Sequence, residues 1–166
     1  IELYQLHREE MIKTSVFEKK ALPKKIEQIK NKERPHYLDN IIFLQMESLN
    51  GNLMSVKITP NFYKISEKGV IFDNFYANGV QTILGQENLL CSLPPSFYSN
   101  LNSAKQDEQA LCLPEVFNEL GSKTAFLKTY TLDFTNTGEF MKNIGFSESH
   151  ADSIMHKNDP TYQWGY

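Results

Sequence analysis

Asn40-Ile41-Ile42-Phe43-Leu44-Gln45-Met46-Glu47-Ser48 is a short, almost continuous apolar run that ends in an acid and a hydroxyl. Runs of this kind are buried parallel strands, because helices cover both faces of their sheet. A second strand is expected at Val70-Ile71-Phe72-Asp73-Asn74-Phe75-Tyr76 and a third at Lys123-Thr124-Ala125-Phe126-Leu127-Lys128-Thr129-Tyr130. Helical patterns lie between them. Thr59 and Pro60 predict a helix start, threonine as cap and proline at the first position. Phe62, Ile65 and Ser66 are placed on its inner side, with Lys68-Gly69 closing it. A helix is expected from about Thr82 to Ser92, stopped by Pro94-Pro95, and another over Leu113–Gly121. Gly138 to Gly145 frames a short one carrying Phe140, Met141 and Ile144. Alternation of strands and helices predicts an α/β sandwich around a mostly parallel sheet.

Upstream, residues 1–39 read as a helical arm. Leu3, Leu6, Ile12, Val16, Leu22, Ile26 and Ile29 recur at helical spacing among charges, Pro23 divides the arm into two helices, and Arg34-Pro35-His36-Tyr37 is a linker. The arm holds nine Lys/Arg against seven Asp/Glu, and residues 40–166 hold eight against thirteen. The net charge of −3 argues against nucleic acid as a partner. With 166 residues and 40% hydrophobic content the chain suits a globular domain rather than a disordered one. No run reaches the ~18 apolar residues of a membrane span. The absence of an initiating methionine and of a signal peptide leads to the expectation of a piece of a longer protein. Cys91 and Cys112 lie 21 positions apart without a CxxC pattern, which excludes a zinc finger and leaves the redox compartment open.

Ligands of open α/β sheets bind beyond the carboxyl ends of the strands. Glu47 stands at such an end, where a hard carboxylate can meet a metal ion; a solvated loop acid is the alternative. Thr82, in Gln81-Thr82-Ile83-Leu84-Gly85, falls at a helix N-terminus, where amides and dipole favour an anion, unless it only caps the helix. A threonine hydroxyl is a poor nucleophile at neutral pH and needs a base or a metal, so a nucleophilic Thr82 calls for a cation, with Glu47 as its available ligand.

The ordered set Asn40–Leu49, Thr59-Pro60-Asn61-Phe62, Gly69–Tyr76 and Thr82 strongly resembles the lipoteichoic acid synthase-like sulfatase family of the alkaline phosphatase superfamily, related to phosphoethanolamine transferases. The resemblance covers about residues 40–166. It implies the N-terminal part of an alkaline phosphatase-like α/β/α sandwich, preceded by the 1–39 arm and, further upstream, a membrane domain. It implies Glu47 as a metal ligand and Thr82 as nucleophile and metal contact. The formylglycine motif Cys/Ser-x-Pro-x-Arg of true sulfatases is replaced by Thr82-Ile83-Leu84-Gly85-Gln86, which argues against sulfate-ester hydrolysis.

The resemblance also implies a headgroup pocket at His156, Asp159 and Trp164; a core tryptophan beside surface polar residues is the alternative. Tyr166 stands where lipoteichoic acid synthases carry an arginine, and a phenol cannot pair a phosphate bidentately. The implied activity is metal-dependent transfer of a phospholipid headgroup, of glycerol phosphate or phosphoethanolamine type, through phosphothreonine to an envelope glycan or glycolipid. A phosphodiesterase or sulfatase-type hydrolase and a catalytically dead sensor or binding module are the alternatives. The implied metal is manganese or magnesium, with zinc as the phosphoethanolamine-transferase option. The implied location is the periplasmic or extracellular side of the cytoplasmic membrane. That compartment favours a Cys91–Cys112 disulfide over two buried thiols. The family's distal Asp-His metal pair and substrate histidine have no counterpart before Tyr166, so this stretch alone is expected to be inactive and to self-associate.

Overall fold

The computed structural model describes residues 2–30, 40–72, 74–94 and 110–151. Its elements are α1 (Glu2–Lys30), α2 (Pro60–Ser66), α3 (Thr82–Cys91), α4 (Leu113–Glu119), β1 (Ala125–Leu127), α5 (Thr137–Asn143) and β2 (Glu148–His150). They make a mixed, mostly helical fold with a small parallel sheet. The chain divides into two compact units, Pro35–Ala77 on the one hand and Ile1–Arg34 with Asn78–Tyr166 on the other.

The core of the larger unit gathers Cys91, Leu93, Ala110, Cys112, Phe140, Met141 and Ile144, so α3, α5 and the residues leading into α4 converge on it. Cys91 and Cys112 are joined by a disulfide inside this core. It ties the end of α3 to the residue that precedes α4. Helix α4 opens with Glu115 reaching back to accept the Cys112 N–H at 3.3 Å, which satisfies an amide that a helix start otherwise leaves open. Helix α5 ends at Gly145, whose φ of +98° is open to glycine at little steric cost. A Cβ there would also stand 3.1 Å from the Glu115 amide nitrogen. The sequence's placement of Pro near the start of α4, and of Gly121 and Gly145 past the ends of α4 and α5, is therefore realised.

Strands β1 and β2 pair in parallel with Phe126 opposite Ser149, and α5 lies in the connection between them. Asn118 of α4 fastens the entry to both strands. Its amide donates to the Gly145 carbonyl at 2.6 Å, and its carbonyl accepts from Thr124 at 2.8 Å and Ser147 at 2.9 Å. Phe126 packs on Phe146 at 5.8 Å between ring centroids.

The arm departs from its sequence reading. Residues 2–30 form one helix, and Pro23 lies within it rather than dividing it. An interior proline removes one helical hydrogen bond and costs about 3 kcal/mol. Tertiary contacts on both sides of it offset that cost. Leu22 and Ile26 are buried, Met11 and Ile12 pack against the core, and Lys19 pairs with Glu115 at 2.6 Å. Ser15 accepts the Leu111 N–H at 2.7 Å. The linker at 34–37 lies outside the described residues, as does most of the polar excursion before Ala110.

The smaller unit, taken by itself, also differs from expectation. Residues 41–46 and the described part of 70–76 are not strands, and their apolar side chains are exposed, Ile42 at 91% and Phe72 at 75%. A strand exists only against a neighbour, since its stability comes from ladder bonds and cross-strand pairs. Among the described residues neither stretch has such a neighbour. Among the described residues the parallel sheet of the expected sandwich is represented by the β1–β2 pair. Helix α2 forms where Pro60 predicts it, but Thr59 does not cap it. The Thr59 hydroxyl instead donates to the Ser55 carbonyl at 3.1 Å and accepts the Ser55 N–H at 3.2 Å. Phe62 and Ile65, placed inside from the sequence, are exposed at 38% and 72%.

Candidate active site

Thr82 is the first residue of α3, preceded by Gln81 in extended conformation. The first intrahelical bond runs from the Gly85 N–H to the Gln81 carbonyl at 3.1 Å, so the amides ahead of it belong to the helix start. Such amides, with the helix dipole, favour an anion near the Thr82 side chain. The side chain is exposed. Gly79 determines how the chain reaches this point. A Cβ on Gly79 would lie 2.7 Å from the Leu84 Cβ and 2.9 Å from the Gly85 nitrogen. Only glycine permits the backbone to pass this close to the first turn.

Behind Thr82 the helix is anchored by charge. Glu87 is buried and ion-paired with Arg8 of α1, which is buried as well. Arg8 Nε also donates to the Pro94 carbonyl at 2.9 Å. Tyr4 stands nearby, its pKa raised chiefly by burial, with Arg8 pulling it down and Glu87 pushing it up. Sequence reasoning missed this pair. Both carried a signal, Glu87 as the sole charged residue of α3 and Arg8 as the sole arginine of α1 among lysines, but nothing local pairs the two.

Glu47 lies in the smaller unit, at a turn with Ser48. Its carboxylate is exposed and accepts from the Ser48 hydroxyl at 3.1 Å. Ser48 adopts φ +54°, the left-handed region that non-glycine residues seldom enter. Glu47 and Thr82 thus belong to different units. His156, Asp159 and Trp164 lie outside the described residues. A divalent ion needs several convergent donors. Among the described residues no group of three or more His, Cys, Asp or Glu side chains is placed to hold one. The described donors therefore do not make up a metal centre by themselves.

At the carboxyl end of β1, Lys128 donates to the Thr137 hydroxyl at 3.0 Å and sits 5.3 Å from the centre of the Phe134 ring. Burial lowers its pKa from the ordinary 10.5.

No solved structure matches the chain. The Sulfatase family profile matches residues 39–166, well over half of the chain and from just ahead of the Asn40 run onward. This superfamily carries out phosphoryl or sulfuryl transfer or hydrolysis, typically with divalent metals. The chain belongs to the Sulfatase family of the alkaline phosphatase superfamily.

Proposed function

We propose that the protein is a transferase of the lipoteichoic acid synthase-like branch, moving the phosphate headgroup of a membrane phospholipid to an envelope glycan or glycolipid through Thr82. The observation that carries this reading is the position of Thr82 as the first residue of α3, in a sequence that lacks the formylglycine motif of sulfate-ester hydrolases.

In the first step the Thr82 oxygen bonds to phosphorus as the ester bond to diacylglycerol breaks. The threonine proton ends on the departing diacylglycerol oxygen. In the second step the acceptor hydroxyl bonds to phosphorus, the Thr82–phosphorus ester breaks, and Thr82 regains a proton. The amides at the start of α3 favour the phosphoryl oxygens in both steps, where negative charge develops. Glu47 is the chain's candidate ligand for a metal, and a hard carboxylate donor would favour manganese or magnesium over zinc. A metal bound there would supply charge neutralisation and a lowered hydroxyl pKa. His156, Asp159 and Trp164 are proposed to receive the headgroup.

The buried disulfide supports a catalytic domain on the outer side of the cytoplasmic membrane, because such bridges persist in oxidising compartments. No helix among the described residues is long and apolar enough to cross a membrane. The proposed membrane attachment lies upstream of the arm. Incubating the intact protein with a headgroup-labelled phospholipid tests the reading. Label is expected on Thr82 and then on the acceptor, with Thr82→Ala losing both. Release of free headgroup phosphate in place of acceptor labelling would make the protein a hydrolase.

A further inference from the structure

Helix α3 is held at three places: by the close passage of Gly79 at its start, by the Arg8–Glu87 pair in its middle, and by the disulfide at its end. Of these, the middle attachment is the one that reaches across from α1. Arg8 engages Glu87 through Nη2 and the Pro94 carbonyl through Nε, so one guanidinium grips α3 and the chain just beyond it. The fork shape of the guanidinium fixes direction as well as distance.

We infer that Arg8 is a positioning residue for Thr82, so that α1 sets the placement of the nucleophile's helix. This rests on the reading of Thr82 as the nucleophile. Glu87 follows Thr82 by five positions, about 7.5 Å along the axis at 1.5 Å per residue, and a helix carries a displacement over that length with little loss. Further along α1, Ser15 and Lys19 fasten the same helix to the unit, and Leu22 and Ile26 are buried. Arg8 therefore projects from a docked element. Misplacement of a reacting group by about 1 Å can cost on the order of 100-fold in rate.

Stability and positioning are separable here. Removing one partner of a buried pair leaves an uncompensated charge, whereas replacing both with apolar residues of similar volume is often tolerated. The intact protein is assayed with labelled phospholipid as wild type, Arg8→Ala, Arg8→Met/Glu87→Met and Thr82→Ala. Melting temperature, kcat, KM and hydrogen exchange of the Gly85 amide are measured for each. Arg8→Ala is expected to lower both melting temperature and kcat. The double variant is expected to recover the melting temperature while kcat stays about tenfold or more below wild type at unchanged KM. Its Gly85 amide, which closes the first turn, exchanges faster.

Wild-type kcat and exchange in the double variant would overturn the inference while leaving the transferase reading in place. Full turnover by Thr82→Ala would instead overturn the nucleophile, and the role of Arg8 toward it with the nucleophile. Where the double variant fails to fold, Glu87→Gln, which keeps shape and removes charge, is read by the same measurements.

Discussion

Gly79 and Lys128 are two positions where a single side chain carries a checkable consequence. With Leu84 Cβ at 2.7 Å and the Gly85 nitrogen at 2.9 Å from a Cβ at position 79, Gly79→Ala must move the first turn of α3. Overpacking of this kind costs about 1–3 kcal/mol. Because the turn that moves carries Thr82, turnover should fall by more than the loss of folded protein explains. Chemical denaturation and kcat measured on the same preparation check this. For Lys128 the sign follows from proton counting. Its folded-state pKa lies below 10.5, so between the two values the unfolded chain binds more protons, and stability rises with pH across that window. Below the window the fold bears the burial of a charge. Tyr4, with a pKa raised above 10.0, acts in the opposite sense above pH 10 and does so in wild type and variant alike. Lys128→Met is therefore expected to remove the alkaline gain, seen as a flatter pH dependence of the urea midpoint on the approach to pH 10.5.

Among the elements, α3 depends on its far end as much as on its start. The disulfide spans a separation of 21 residues and is buried with Met141 and Ile144. Closing a loop of about that length contributes roughly 3 kcal/mol in the chain-entropy model. Cys91→Ala/Cys112→Ala should lose at least about that amount, read as a lower denaturant midpoint. Since both sulfurs are buried, reduction by dithiothreitol should keep pace with unfolding rather than precede it. Helix α1 shows the converse relation of local and tertiary terms. The local rule for Pro23 predicted a break, and the contacts of Arg8, Ser15, Lys19, Leu22 and Ile26 outweigh it.

At the scale of the molecule, the exposed apolar stretches around Ile42 and Phe72 are the feature that sequence and structure together make prominent. Extended apolar segments without strand neighbours favour association with other chains. We expect residues 1–166 produced alone to associate with rising concentration, and Ile42→Lys/Phe72→Lys to shift sedimentation toward the monomer. Unchanged association in the variant would place the contact elsewhere.

Much was legible beforehand. The helix starts at Pro60, Thr82 and Leu113, the helix stop at Gly145 and a strand around Phe126 depend on backbone chemistry within a few residues, and the sequence alone determined them. The resemblance carried by the Asn40 run, the Thr59-Pro60 start and Thr82 pointed to the right broad family, the Sulfatase family matched over residues 39–166, while its lipoteichoic acid synthase-like branch is a proposal. Tertiary structure alone decided that Pro23 stays inside a helix and that Glu87 finds Arg8 seventy-nine positions away. It also decided that the Asn40 run is not a strand among the described residues. Each of those outcomes turns on a partner distant in sequence, and the free energy of such a partner is absent from any local pattern.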